Sequence, residues 1–349
     1  MDNIHAYDAH AHTIRVDVIA ADSRNRIILR RLQRNDSDVA TALWIQNEYD
    51  EDEHYEDFID YCPEGANDMG WLGYFVGKNE HLRDLHICPF TSTSGSSIRD
   101  VIEPFFRGVS SNNAIQTITF TRMDLLGGEV FTMLTPFFKD NYNLANININ
   151  NCDFGNGGCR LFALALGSST NKSLQKVELE DNNISEEGIV DIITALSMHP
   201  HLKHLDLDGN RLRKDGCVAL ATLLQNSAKE LQYLYISHNE INDEGVEALV
   251  SALKNYSRLK ELRLSNNPSI TTRGWLSLAT ILEFSNSNLE VLGVGQNNID
   301  DEALASFADA LANNCTLNAL YTSRIPSITS EGWQSFSKFL CDRSSVNAR

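Results

Sequence analysis

No apolar run in this chain approaches the ~18 residues that a membrane-spanning helix needs. The start, MDNIHAYDAHAHTIRVDV, lacks the basic stretch followed by an apolar stretch that marks a secretory leader. The seven cysteines (Cys62, Cys88, Cys152, Cys159, Cys217, Cys315 and Cys341) are odd in number and follow no framework spacing. They read as reduced thiols, so the chain is expected in the cytosol or nucleus. Basic residues are scarce: 29 Lys and Arg stand against 47 Asp and Glu, a net charge of -18. That balance disfavours nucleic acid and anionic membrane, and favours partners with a basic surface. Also missing are a Walker A sequence, a G-x-S-x-G elbow and a C-x-x-C pair. Each is the signature of a chemistry that the chain is then not expected to perform, and no cofactor is implied.

What the chain does have is repetition. The segments LQKVELEDNNI from Leu174, LKHLDLDGNRL from Leu202, LQYLYISHNEI from Leu231, LKELRLSNNPSI from Leu259 and LEVLGVGQNNI from Leu289 share the template L-x-x-L-x-L-x-x-N-x-I/L. Their starts lie 28, 29, 28 and 30 residues apart. A fixed period of this size marks stacked supersecondary units that bury one continuous core.

Within a unit, L-x-x-L-x-L alternates apolar and polar residues, the period of a half-buried strand. The Asn that follows (Asn182, Asn210, Asn239, Asn267, Asn297) is expected to satisfy backbone groups in the turn leaving that strand. A Gly then opens a stretch of helical period in most units, as in GCVALATLLQNS from Gly216 and GVEALVSALKNYS from Gly245.

One strand and one full helix per repeat resembles the leucine-rich repeats of the ribonuclease-inhibitor-like subfamily, shared with Ran GTPase-activating proteins and the repeat regions of NOD-like receptors. The resemblance is clearest over residues 174–300 and implies an α/β leucine-rich repeat solenoid. In that horseshoe a parallel β-sheet lines the concave face and α-helices the convex face. Weaker units are read at Leu82, Ile115, Leu144 (with Cys152 in the Asn position) and Leu317, giving nine, with a degenerate tenth at Ala40–Ile45.

Outside the array of residues 82–340, residues 1–23 read as a flexible tail and 341–349 as a second tail. Residues 24–81 read as an N-terminal cap and degenerate first repeat. In that cap RNRIILRRLQRN (24–35) forms an amphipathic capping helix, and DEDEHYEDFID (50–60), with seven acids and no base, an acidic insert. Asp8-Ala9-His10-Ala11-His12 has the His-x-His spacing of some metal sites, but without the further ligands that such sites require, and no metal site is assigned.

Alternation names the residues that the strands present to a partner. They are Lys176, Glu178 and Glu180; His204, Asp206 and Asp208; Tyr233 and Tyr235; Arg263; and Tyr321. Strands about 4.8 Å apart crowd the four carboxylates into one patch beside the tyrosines, the composition of a protein-binding hot spot for a basic partner. A calcium site there is disfavoured, because adjacent strands rarely complete six or more oxygens. The reading is a non-enzymatic, monomeric protein–protein interaction module binding on its concave face. The alternative is a Ran GTPase-activating-protein-like regulator of a small GTPase, although the chain has no acidic stretch after its repeats.

Overall fold

A computed structural model describes residues 4–36, 41–47, 58–90, 98–123, 129–284 and 286–344. The chain divides into two compact units, Met1–Val177 and Glu178–Arg349.

In the second unit, strand β6 (Lys176–Glu178, shared with the end of the first unit) begins a regular alternation with helix. It continues as α8 (Glu186–Leu196), β7 (His204–Asp206), α9 (Arg213–Asn226), β8 (Tyr233–Tyr235), α10 (Asp243–Leu253) and β9 (Glu261–Arg263). Helix α11 (Thr272–Ala279), β10 (Val291–Gly293), α12 (Asp301–Leu311), β11 (Ala319–Tyr321) and α13 (Ser330–Ser344) complete it. The strands are parallel and lie in chain order. Register follows the repeat: Leu205 pairs Leu234, Leu234 pairs Leu262, Leu262 pairs Leu292, and Leu292 pairs Leu320. This leucine column is buried at every member but Leu320, and the helices pack neighbour on neighbour. Burying such a column is the main stabilising term of a stacked array, since each strand alone would leave its leucine in water.

The turns hold because two side-chain ladders satisfy the backbone. In the first, Asn210 Nδ2 donates to the carbonyls of Leu179 and Leu207 at 2.8 and 3.0 Å, while Oδ1 accepts from the amides of Asn182 and Ile184 at 3.3 and 3.0 Å. Asn267 repeats this, taking the amides of Asn239 and Ile241 and giving to the carbonyls of Ile236 and Leu264. Asn297 carries the series on through the Asn267 amide. Asn182, Asn210, Asn239, Asn267 and Asn297 are all buried. The second ladder, which the sequence reading did not identify, stands before the strands. In the first unit Asn112 Nδ2 donates to the Val76 and Asn79 carbonyls while Oδ1 takes the Ala114 and Ile115 amides, and Asn171 donates to the Asn141 and Leu144 carbonyls. Tyr256 and Asn314 take over this position later in the chain.

Helix starts are tied across repeats as well. Asp243 Oδ1 accepts from the amides of Thr271 and Gly274, and Oδ2 accepts from the Thr271 hydroxyl at 2.6 Å. A Cβ at Gly274 would lie 2.5 Å from that Oδ1, which explains why the position is glycine. Asp301 makes the same pair of bonds to Thr329.

The first unit departs from this regularity. Helices α1 (Ile4–His10), α2 (Val16–Ile19) and α3 (Ser23–Arg34) precede β1 (Ala42–Ile45), β2 (Phe58–Tyr61) and α4 (Ala66–Lys78). Then follow β3 (Asp84–Ile87), α5 (Ile98–Val109), β4 (Thr117–Thr121), α6 (Glu129–Asp140), β5 (Asn146–Asn150) and α7 (Gly155–Gly167). Strand order here is β5-β4-β3-β1-β2, all parallel. Strand β2 was not expected, and it lies outside β1 rather than between β1 and β3. Its edge is covered: Asn25, fully buried on α3, donates to the Cys62 carbonyl at 2.7 Å and accepts the Cys62 amide at 3.2 Å. A side chain thereby replaces the missing neighbouring strand.

Residues 1–23, expected to be a flexible tail, instead carry α1 and α2, with Ala11, Val16, Ile19 and Ala20 buried. Apolar residues three to five positions apart let this stretch pack where a polar tail would not. The capping helix of 24–35 corresponds to α3, with Asp22 accepting from the amides of Arg24 and Asn25 at its start. Most of the 50–60 acidic insert and the last residues of the 341–349 tail lie outside the described residues. Helices α4 and α5 touch backbone to backbone: a Cβ at Gly73 would meet the Phe105 carbonyl oxygen at 2.3 Å, and one at Gly108 would meet Gly73 itself. Among the described residues, no helix is long and apolar enough to cross a membrane.

Two outcomes follow from the ladders. Asn210→Leu should cost at least about 2 kcal/mol by urea denaturation, because it strands buried amides and carbonyls on both sides of the turn. An unchanged midpoint would contradict the ladder's structural weight. For Asp243, burial acts to raise the pKa, but the Thr271 hydroxyl and amide and the Arg273 guanidinium outweigh it, and the carboxyl falls below its ordinary 3.8. A carboxylate with a depressed folded pKa stabilises above its unfolded value, and loses that contribution as pH falls through the folded one. The stability gap between wild type and Asp243→Asn should therefore be largest near neutrality and close below about pH 4.

Candidate functional site

The second unit's strand face concentrates the unusual electrostatics of the described chain. Alternation places Glu178, Glu180, His204, Asp206, Asp208, Tyr233, Tyr235 and Arg263 on the side of the strands away from the leucine column. Successive parallel strands then set them side by side.

Asp206 lies at the centre and is only 9% exposed. Its Oδ1 accepts the Asp208 amide at 2.9 Å. Burial first, then the neighbouring charge of Asp208, and after it Glu180 and Glu178, push its carboxyl up to about 7. Asp208 is raised to about 6, again by burial first and then by Glu180, although the Ser237 amide and Arg263 pull it down. Glu180 is also raised, by burial and then by Asp181 and Glu178. Like charges on neighbouring strands oppose one another, and here only partial compensation exists.

His204 supplies part of it. Its Nε2 lies 3.5 Å from Glu178 Oε1, with both side chains less than one-fifth exposed. Its ring meets Tyr235 edge to face at 4.8 Å between centroids and tilts against Tyr233 at 5.7 Å. Arg263 stacks over the Tyr235 ring at 3.9 Å and is held by Glu261 at 2.7 Å. Alternation predicts that Arg263 faces outward, but not that Glu261 engages it, so the patch keeps less positive charge than a residue count suggests. Alternation turns Glu261 outward on the same strand, at the i, i+2 spacing from Arg263.

Two expected members remain. Lys176 falls in the first unit, where its amide donates to the Ala145 carbonyl. Tyr321 is 60% exposed on β11, with β10 and its Val291 and Gly293 between it and Arg263. His10 and His12 of the N-terminal segment are exposed, and Asp8 accepts from the Tyr74 hydroxyl at 2.7 Å.

Comparisons with known proteins bear on the repeats that carry this face. The family model described as Leucine Rich repeat matches residues 170–192, 199–221, 230–250 and 285–308. The gap before the last match covers the β9 unit, whose turn carries an extra residue at Asn267-Pro268-Ser269-Ile270. The chain is 32% identical over 210 residues to NACHT, LRR and PYD domains-containing protein 4C of Mus musculus, covering 59% of this chain and 21% of that protein. It is 24% identical over 241 residues to the ribonuclease inhibitor of Mus musculus, covering 68% of this chain and 52% of that protein. The chain thus spans about a fifth of the first relative and about half of the second. A solved structure of the yeast Rad7 and Elc1 complex shares the fold at a TM-score of 0.53 and 12% identity, over 79% of this chain and 64% of that one.

Asp206→Asn keeps an oxygen for the Asp208 amide and removes the repulsion. At pH 8, in chelator, it should leave stability unchanged or raise it by up to about 1 kcal/mol. A clear loss of stability would show that the charge is compensated in the native fold. With its repeating strand and helix and its two backbone ladders, the chain carries leucine-rich repeats similar to those of ribonuclease inhibitor and of the NACHT, LRR and PYD proteins.

Proposed function

We propose that this chain is a non-enzymatic protein-interaction module whose strand face in the second unit binds a partner with a basic surface. The observation that carries the reading is the Asp206 carboxyl, nine-tenths buried and raised to about 7 among Asp208, Glu180 and Glu178. Such an arrangement costs stability in the free protein, and a lysine or arginine from a partner would relieve it. Sites that trade stability for binding commonly have this signature.

Tyr233 and Tyr235 flank the carboxylates and supply rigid contact area at low entropic cost, as hot-spot tyrosines do. The repeats' likeness to ribonuclease inhibitor and to NACHT, LRR and PYD proteins supports an interaction role rather than catalysis. A small-GTPase regulator would place an arginine on the transferring phosphate. On this face Arg263 is already engaged by Glu261 and Tyr235, which favours the docking reading.

The test is capture from native lysate, in chelator, on wild type and on an Asp206→Asn/Tyr235→Ala double variant of matched melting temperature. We expect partners with basic surfaces that bind wild type at least tenfold more tightly and elute with rising salt. Identical partners and affinities on both baits would remove this face from consideration.

A further inference from the structure

Carboxylates on adjacent strands fall short of a calcium shell, but the fold adds an imidazole nitrogen beside them. Glu178, His204 and Asp206 each offer a ligand atom, and the three atoms lie within 4.8 Å of one another. We propose that these three side chains form a site for zinc(II), with a fourth position open to water or to an incoming ligand.

One imidazole with two carboxylates is a donor set suited to zinc rather than to calcium, which takes six or more oxygens. Tetrahedral zinc with bonds of about 2.0–2.2 Å sets its ligand atoms roughly 3.3–3.5 Å apart. His204 Nε2 and Glu178 Oε1 stand at 3.5 Å already. Asp206 offers a carboxylate oxygen within 4.8 Å of both.

A second, independent observation concerns Asp206 itself. It is 9% exposed, and among the described residues its carboxylate takes a single hydrogen bond, from the Asp208 amide to Oδ1. A buried charge with so little hydrogen bonding is costly, and the other oxygen remains available as a ligand. The Asp208 amide meanwhile fixes the carboxylate's orientation, the supporting role that outer contacts play around metal ligands. The ring of Tyr235 packs on His204 and restrains the imidazole plane.

The three ligands come from two neighbouring strands, β6 and β7, which the leucine column and the Asn210 ladder hold together. The Leu179 amide donates to the Asp206 carbonyl at 2.9 Å, directly beneath the site. The site is preorganised to that extent, and a bound ion would link two repeats by their side chains. This inference does not depend on the docking proposal, because zinc uptake is measured with no partner present. If both hold, zinc and a basic partner compete for the same carboxylates.

The experiment is isothermal titration of zinc chloride into chelator-free protein, with His10→Ala/His12→Ala as the background in every arm so that the N-terminal histidines do not contribute. One ion per chain is expected. His204→Gln should weaken binding at least tenfold while far-UV circular dichroism stays unchanged, and Glu178→Gln, a nearly isosteric change outside the leucine column, provides a second variant. Cobalt(II) in the same background should give visible d–d bands without thiolate charge-transfer absorption. No ion bound by the background protein, equal binding by His204→Gln and Glu178→Gln, or a thiolate band moving the ion to cysteine would each overturn the proposal.

Discussion

Every strand in this protein must end, and each ending exposes backbone amides and carbonyls inside a stack where water cannot reach them. The buried asparagines solve this by bonding to two repeats at once: Asn210 reaches the carbonyls of Leu179 and Leu207 and the amides of Asn182 and Ile184. Because the same side chain satisfies its own turn and its neighbour's, strand spacing and register are set by hydrogen-bond geometry as well as by leucine packing. The rest depends on that constraint. Helices can be laid down only as closely as the turns permit, which is why Gly274 must leave room for Asp243.

A rigid ladder has a consequence for the opposite face. Once leucines and asparagines fix the strands, the intervening side chains have no freedom to separate. Glu178, Glu180, Asp206 and Asp208 are forced together, and Asp206 is left only 9% exposed. The raised carboxyls are thus a product of scaffold stiffness. The same stiffness holds His204 against Glu178 and lays Arg263 across Tyr235. A scaffold stabilised elsewhere tolerates an unfavourable surface, and an unfavourable charged surface is a natural site for a cation, whether a partner's side chain or an ion.

The first unit was less legible than the second, for identifiable reasons. Its strands and helices use Phe105, Phe106, Phe120, Phe137, Phe138, Phe154 and Phe162 in place of leucine, so its core reads as aromatic rather than as the consensus. Strand β2 escaped notice because Phe58–Tyr61 follows directly on an acidic run, and because strands normally pair in chain order, whereas β1 lies between β2 and β3. The second ladder was in plain sight as an asparagine three residues ahead of Leu82, Ile115, Leu144, Leu174 and Leu317. It hides in the second unit, where His199 and Tyr256 occupy the same place with different chemistry.

Taken alone, the sequence determined the repeat, its period, the strand and helix in each unit, the buried asparagines and the side chains that turn away from the leucines. All of these follow from alternation and spacing, which are local and one-dimensional. Only the tertiary structure decided which of those side chains meet. Whether His204 faces Glu178, whether Arg263 is free or held by Glu261, and how deeply Asp206 is buried depend on register between strands some 28 residues apart. Charge and donor geometry depend on distance and burial, and neither exists until the repeats are stacked.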